Sequence, residues 1–299
     1  MLQAFFLLLI QEEWSFLHTV PVSWPKNYVV VEENDSYTLR CDPHTQNVKW
    51  LTPSDDCVNS SQNALELTDL ENPCAGNYTC LTMDNILLKS VYLLIKENED
   101  LKISCSLDSY SSPVLSCSVR VPFCRDCLVR AKANTSSVDD TNWLEMKFSD
   151  ATKDSVLKFN LSLPMWCAFE EQIYPIVVTM EAITKSQYMS GSNSYYIRDI
   201  VVPGAPENVI LNTDSNLGSW TYPSTWARHF SFFPLLFEVN IQFKNNKEIY
   251  ELVYEMKKNM TNVKCMRVRC RDMYNNSMWS NWTTARSVSR APRSPCKFK

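Results

Sequence analysis

Near the carboxyl end, Trp279 and Trp282 follow a segment in which Arg267, Arg269 and Arg271 alternate with Met266, Val268 and Cys270. Alternate residues of a strand share one face. Three guanidinium planes therefore point the same way and can slot against the two indoles, a cation–π ladder rather than a catalytic device. The plainer alternative is a chance coincidence of Trp and Arg on a surface loop. The other chemistry-bearing residues are twelve cysteines. Acid–base chemistry is poorly provided for: His18, His44 and His229 are the only histidines, and none lies in a Ser, Cys or metal constellation. Cys124 and Cys127 have redox-motif spacing without a βαβ setting, and a zinc site would need a second pair nearby. The expectation is a binding protein, not an enzyme, with no cofactor and no metal.

These residues must be held by strands. Runs such as Tyr28-Val29-Val30-Val31, Val91-Tyr92-Leu93-Leu94-Ile95 and Phe237-Glu238-Val239-Asn240-Ile241 are short and rich in β-formers, and long stretches with a 3.6-residue period are hard to find. The chain reads as all-β. With only 4 glycines in 299 residues, Asn and Ser must supply many of the turns. This length suggests two or three domains.

Twelve cysteines occur together with Asn-x-Ser/Thr sequons at Asn34, Asn59, Asn77, Asn134, Asn160, Asn259, Asn275 and Asn281. That combination points to an oxidising, glycosylating route, hence a secreted, extracellular protein. Residues 1–23 read as a signal peptide, with an apolar stretch from Ala4 to Ile10 and cleavage near Val20 to Ser23, although no basic segment precedes it and Gln11-Glu12-Glu13 interrupts it. No other apolar stretch reaches transmembrane length, so the mature chain is expected to be released rather than membrane-anchored. Charge is uneven. Residues 203–299 hold 14 Lys/Arg against 7 Asp/Glu, and the remainder holds 15 against 26. Lys244, Lys247, Lys257, Lys258 and Lys264 could meet a sulfated glycan, a solvated face being the alternative; no nucleic-acid partner is expected.

Three sandwiches are legible in order. In residues 24–97, Cys41, Trp50 and the run Gly76-Asn77-Tyr78-Thr79-Cys80 form the immunoglobulin pattern: a disulfide between sheets, a Trp packed on it, and a Tyr two residues before the second Cys. Cys57 and Cys74 remain there for an extra staple, which spacing alone does not prove. In residues 98–202, Cys105 and Cys117 sit in two candidate strands that a turn through Ser109–Pro113 would bring together. Pro203-Gly204-Ala205-Pro206 is a stiff joint. Residues 203–290 contain the Trp–Arg ladder, and 291–299 form a Pro-rich basic tail expected to fray unless Cys296 ties it back. By strand parity Cys270 faces the core and Cys265 faces outward with the Arg residues. Cys265 is paired with Cys296, leaving Cys270 as a buried thiol.

Trp279-Ser280-Asn281-Trp282-Thr283 resembles the Trp-Ser-x-Trp-Ser signature of cytokine-receptor fibronectin type III modules, with Thr283 replacing the last Ser. One immunoglobulin-like domain and two fibronectin type III domains, with Tyr195-Tyr196-Ile197-Arg198-Asp199-Ile200 before the joint and Trp220-Thr221-Tyr222-Pro223-Ser224-Thr225-Trp226 after it, resemble the interleukin-12 beta family over nearly the whole mature chain. The resemblance implies a secreted, receptor-like subunit that holds a four-helix-bundle alpha subunit as a disulfide-linked heterodimer and is read by a cell-surface cytokine receptor. A homodimer is a further partner to consider. The alternative is a soluble receptor or decoy that binds a helical cytokine reversibly.

The resemblance also places the site at the bend between the second and third sandwiches. Asp272 matches the acidic anchor for an arginine of the partner, Tyr110, Phe232 and Tyr274 match the aromatics of the bend, and Glu171 matches an acidic rim position. The family has another Tyr where this chain has Asn275. Cys167 aligns with the interchain cysteine, the alternative being an internal bridge to Cys124 or Cys127. The family's second internal bridge in this sandwich has no obvious counterpart here, so Cys124 and Cys127 either bond each other or rearrange the local pattern. Trp279 suits C-mannosylation. Each assignment has a plain counterpart: Asp272 as a turn cap, Tyr110 as a turn residue, Phe232 as core, Glu171 as a solvated charge.

Overall fold

In the computed structural model of the protein, the described residues are 21, 23–41, 47–61, 63–122, 124, 126–135, 142–148, 156–163, 172–184, 187–229, 231–274, 277–288 and 298. Nearly every regular element is a strand. The first seven are β1 (Tyr28–Val31), β2 (Tyr37–Arg40), β3 (Val48–Leu51), β4 (Val58–Ser61), β5 (Ala64–Leu67), β6 (Gly76–Thr82) and β7 (Leu87–Lys96). Next come β8 (Ile103–Ser106), β9 (Val114–Arg120), β10 (Cys127–Asn134), β11 (Leu144–Phe148), β12 (Val156–Ser162), β13 (Ile176–Ile183) and β14 (Gln187–Tyr195), then one helical turn, α1 (Ile197–Ile200). The rest are β15 (Glu207–Asn212), β16 (Leu217–Thr221), β17 (Leu235–Phe243), β18 (Glu248–Val253), β19 (Lys257–Asn259), β20 (Val263–Asp272), β21 (Thr283–Thr284) and β22 (Arg286–Val288).

They form five sheets: β2-β5-β4, β12-β9-β8, β19-β16-β15-β22, β18-β17-β20-β21, and an eight-stranded sheet ordered β11-β10-β13-β14-β7-β6-β3 with β1 also on β7. The last sheet is continuous across residue 97, because Gln187 and Tyr188 of β14 pair in parallel with Ile95 and Lys96 of β7. Turns follow from the scarcity of glycine. Nine described non-Gly residues have left-handed φ, and seven of them are Asn, at 34, 47, 85, 208, 216, 246 and 262. The short amide side chain makes Asn the most tolerant residue there after Gly. Gly191 on β14 is needed for a different reason: a Cβ would lie 2.1 Å from the Leu101 carbonyl oxygen.

Disulfides join Cys41 to Cys80, Cys57 to Cys74, Cys105 to Cys117 and Cys124 to Cys127. Tyr78 lies two residues before Cys80 on β6, and its buried hydroxyl donates to the carbonyl of Cys74 in the second bridge at 2.8 Å. Burial pushes that phenol above its ordinary pKa. One apolar cluster fills residues 31–95, and another runs from Leu101 to Ala285 through the joint at 203–206. Between them lie Trp24, Leu94, Leu128, Ile183 and Tyr188. Arg130 clamps this contact. Its guanidinium lies 4.0 Å from the Trp24 ring centre and 4.2 Å from that of Trp143, while Nε donates to Glu181 and a terminal nitrogen donates to the Tyr28 hydroxyl, both at 2.6 Å. This second Arg–Trp stack was not anticipated from the sequence, since its members are scattered over 24–181.

Candidate functional site

The joint is held from both sides. On one side, the Leu107 N–H donates to Ile200 O and the Val202 N–H to Leu107 O. On the other, the Cys270 thiol of β20 donates to the Gly204 carbonyl at 3.4 Å. A Cβ at Gly204 would press on Thr225 and Pro223 at 3.1 and 3.3 Å, so the close approach suits glycine.

Across this joint the β8–β9 turn meets the end of β20. The Tyr110 ring stacks on Phe233 at 5.0 Å and meets Trp226 edge-on at 5.7 Å. Its hydroxyl donates to Asp272 Oδ2 at 3.1 Å. Asp272 Oδ1 accepts from the Tyr274 N–H at 2.8 Å, and the Asp272 N–H donates to Ser277 Oγ at 3.1 Å. Asp272 therefore caps the turn after β20 and also faces the joint. It is only 2% exposed. Phe232 and Tyr274 stand at the rim, 66% and 70% exposed, so Phe232 is not part of the core. Met273 and Met278 add exposed apolar surface along the same loop. The supporting pair Trp226 and Phe233, joined by an indole N–H donating to the Phe233 carbonyl at 2.9 Å, is not evident from the sequence alone. An apolar run beside a Trp-rich motif was the available signal.

Glu171, Cys167, Asn275 and Cys296 lie outside the described residues, as does most of the amino-terminal apolar segment. Cys265 is disulfide-bonded. Its expected outward position does not hold, because it is 1% exposed. The β17–β20 register slips between Gln242 and Phe243, so Cys265 and Met266 are buried in succession and simple alternation fails there.

The ladder has more rungs than two indoles. Arg267 lies over Trp282 (4.7 Å) and Phe298 (4.6 Å), Arg269 over Trp282 (4.6 Å) and Trp279 (4.8 Å), and Arg271 over Trp279 (4.7 Å). Phe298 thus packs on Arg267 in the tail that was expected to fray unless Cys296 ties it back. Ser280 makes the loop follow β20: its N–H donates to Cys270 O at 2.8 Å and its Oγ accepts from the Cys270 N–H at 3.0 Å. Thr283 continues this line, paired with Val268. Across β17, Arg269 pairs with Glu238 at 2.5 Å.

Cys270 is in no disulfide and is buried under this loop. Burial raises its pKa to about 12, partly offset by the Ser280 hydroxyl. The thiol stays protonated in the folded chain, whereas an unfolded cysteine ionises near about 8.5. This contribution to stability is intact below about 8.5 and is lost as pH rises towards 12. Native protein treated with iodoacetamide at neutral pH should leave Cys270 unlabelled, and urea should expose it. Labelling at equal rates in both states would contradict the buried placement.

Of the sequon asparagines, Asn34, Asn59, Asn77, Asn160, Asn259 and Asn281 are exposed and Asn134 is half-buried. Among the basic residues, Lys258 pairs with Glu251, while Lys264 reaches Asn246 at 3.4 Å. No group of three metal-ligating residues occurs among the described residues, and no described helix is long and apolar enough to cross a membrane.

No family model matches the chain. Individual relatives do. It is 28% identical over 297 residues to interleukin-12 subunit beta of Cervus elaphus, covering 87% of this chain and 90% of that one. It is 28% identical over 304 residues to the same subunit of Felis catus (87% and 91%) and 27% over 279 residues to that of Homo sapiens (82% and 84%). With the sheets, the bridged cysteines and the Arg–Trp ladder in place along that length, the chain is similar to interleukin-12 subunit beta over most of its length.

Proposed function

We propose that this protein is the secreted, receptor-like subunit of a heterodimeric cytokine, built as an immunoglobulin-like sandwich (24–97) and two fibronectin type III sandwiches (98–202 and 203–290). The bend at 203–206 grips a four-helix-bundle alpha subunit, Cys167 links the two chains covalently, and the heterodimer is presented to a cell-surface cytokine receptor. The observation that carries this reading is the meeting of Tyr110 and Asp272, 162 residues apart in sequence, under a rim of exposed Phe232 and Tyr274. A carboxylate ringed by aromatics is the setting in which a partner's guanidinium binds strongly once water is excluded. In the free chain the Tyr110 hydroxyl holds the carboxylate. On docking, a charge-assisted bond from arginine replaces that neutral one, and the Tyr110 ring moves aside.

The test is co-expression with a four-helix-bundle alpha subunit and mass analysis of the secreted material without reductant. A single species of summed mass is expected, splitting on reduction, with Cys167→Ser giving a pair that separates without reductant. Secretion of the chain alone, with only reversible capture of the bundle, would replace this reading with a soluble receptor or decoy.

A further inference from the structure

Sheet edges present unpaired N–H and C=O groups that can template pairing with another chain. This molecule closes some edges visibly. On β8, the Ile103 carbonyl accepts from the Asn193 amide at 2.8 Å and the Tyr195 hydroxyl at 2.5 Å. On β18, Glu248 and the Glu251–Lys258 pair place charge along the edge. Three other edge strands share a different feature. β4 ends the sheet β2-β5-β4 and carries Asn59, β12 ends β12-β9-β8 and carries Asn160, and β19 ends β19-β16-β15-β22 and carries Asn259. Each opens an Asn-x-Ser/Thr sequon, and each is exposed.

The contrast with Asn77 is informative. It lies on β6, an interior strand between β7 and β3, and its amide is engaged on both sides, by Ser90 at 2.6 Å and Thr79 at 3.2 Å. At Asn259 the sequon's own Thr261 hydroxyl donates to Oδ1 at 2.8 Å, so the oxygen is engaged. At Asn160 the register aligns Ser106, Ser116 and Asn160 in one row across the sheet, with Ser104, Ser118 and Lys158 in the next. That outer face is a grid of small hydroxyls forming one wall of a groove that Met278 also lines.

We propose that N-linked glycans on Asn59, Asn160 and Asn259 guard these three edges against strand-to-strand pairing between copies of the chain. An invading strand must lie about 4.8 Å from the edge over several residues. A branched sugar rooted in the edge strand sweeps through that space. The hydroxyl grid beside Asn160 offers its first sugars a polar surface to lie on. Attachment requires a lipid-pyrophosphate-linked oligosaccharide as donor. Asparagine Nδ2 attacks the anomeric carbon, the carbon–oxygen bond to pyrophosphate breaks, the pyrophosphate leaves with the electron pair, and the amide loses one proton.

The experiment uses the full chain secreted from mammalian cells. Glycopeptide mass mapping should find all three asparagines modified. Endoglycosidase trimming of the folded protein, and separately the triple variant N59Q/N160Q/N259Q, should raise the aggregated fraction at least ten-fold by size exclusion while the remaining monomer keeps its far-ultraviolet dichroism. A control lacking two sequons outside these edges, Ser36→Ala with Asn281→Gln, should stay monodisperse. An unmodified asparagine among the three, or trimmed protein as monodisperse as the parent, would overturn the proposal. If the triple variant is not secreted, the trimmed parent chain decides alone. Capture of an alpha subunit plays no part in this readout, so the two readings fail separately.

Discussion

Asp272→Ala should weaken reversible capture of the proposed helical partner by about 2–4 kcal/mol, roughly 30- to 700-fold in Kd. Most of that loss would come from stranding the partner's guanidinium in a dry interface. The measurement needs Cys167→Ser in this chain, so that a covalent link does not mask affinity, and titration of the isolated alpha subunit. Asp272 has a structural task as well, since Oδ1 caps the turn through the Tyr274 N–H and Oδ2 holds Tyr110. Asp272→Asn separates the two. The amide oxygen can keep the cap, so folding stability should stay within about 1 kcal/mol, while the missing charge should still cost most of the affinity. Tyr110→Phe keeps the stack on Phe233 and loses only the hydroxyl bond, and capture should remain within a few-fold of the parent. Parent-like capture by both Asp272 variants would remove this residue from the anchor role.

How much of this was readable in advance depended on sequence distance. Strand content and the reliance on Asn for turns are local properties, and both are found: the regular elements are almost entirely strands, and Asn dominates the left-handed positions. The Arg alternation on β20 and the indoles that follow it lie within a few residues of one another, so parity alone places them on one face. Long-range neighbours left no such trace. Phe298 reaches Arg267 from within the tail, Arg130 recruits Trp24 from 106 residues upstream, and β14 joins β7 in parallel. Parity failed at Cys265 because a register shift buries two consecutive residues, which no alternation rule anticipates. The carboxylate at 272 was suggested by family likeness. Its burial beneath Tyr110 required the spatial meeting of two turns.

The ladder makes a second large effect calculable. Arg269 sits at its centre, between Trp279 and Trp282, and is the cation opposite Glu238 in the β17–β20 register. The Glu238 side chain is only 16% exposed. Arg269→Ala would leave that carboxylate without its cation and open a gap between two indoles, a loss of about 3–5 kcal/mol for breaking a largely buried pair from one side. The urea midpoint of unfolding should fall accordingly with an unchanged slope, and secretion should drop with it. Arg269→Lys keeps the charge but not the plane, so it should recover only part of the loss. The decisive comparison is Arg269→Ala with Glu238→Ala together. If stranded charge dominates, the double variant is more stable than Arg269→Ala alone; if the stack dominates, removing Glu238 recovers nothing. Arg271, which lies on one indole rather than two rings, should cost less on truncation than Arg269. A ladder that held together by packing of the aliphatic stems alone would show equal losses at both positions, and would leave the alternation of cation and ring without an energetic role.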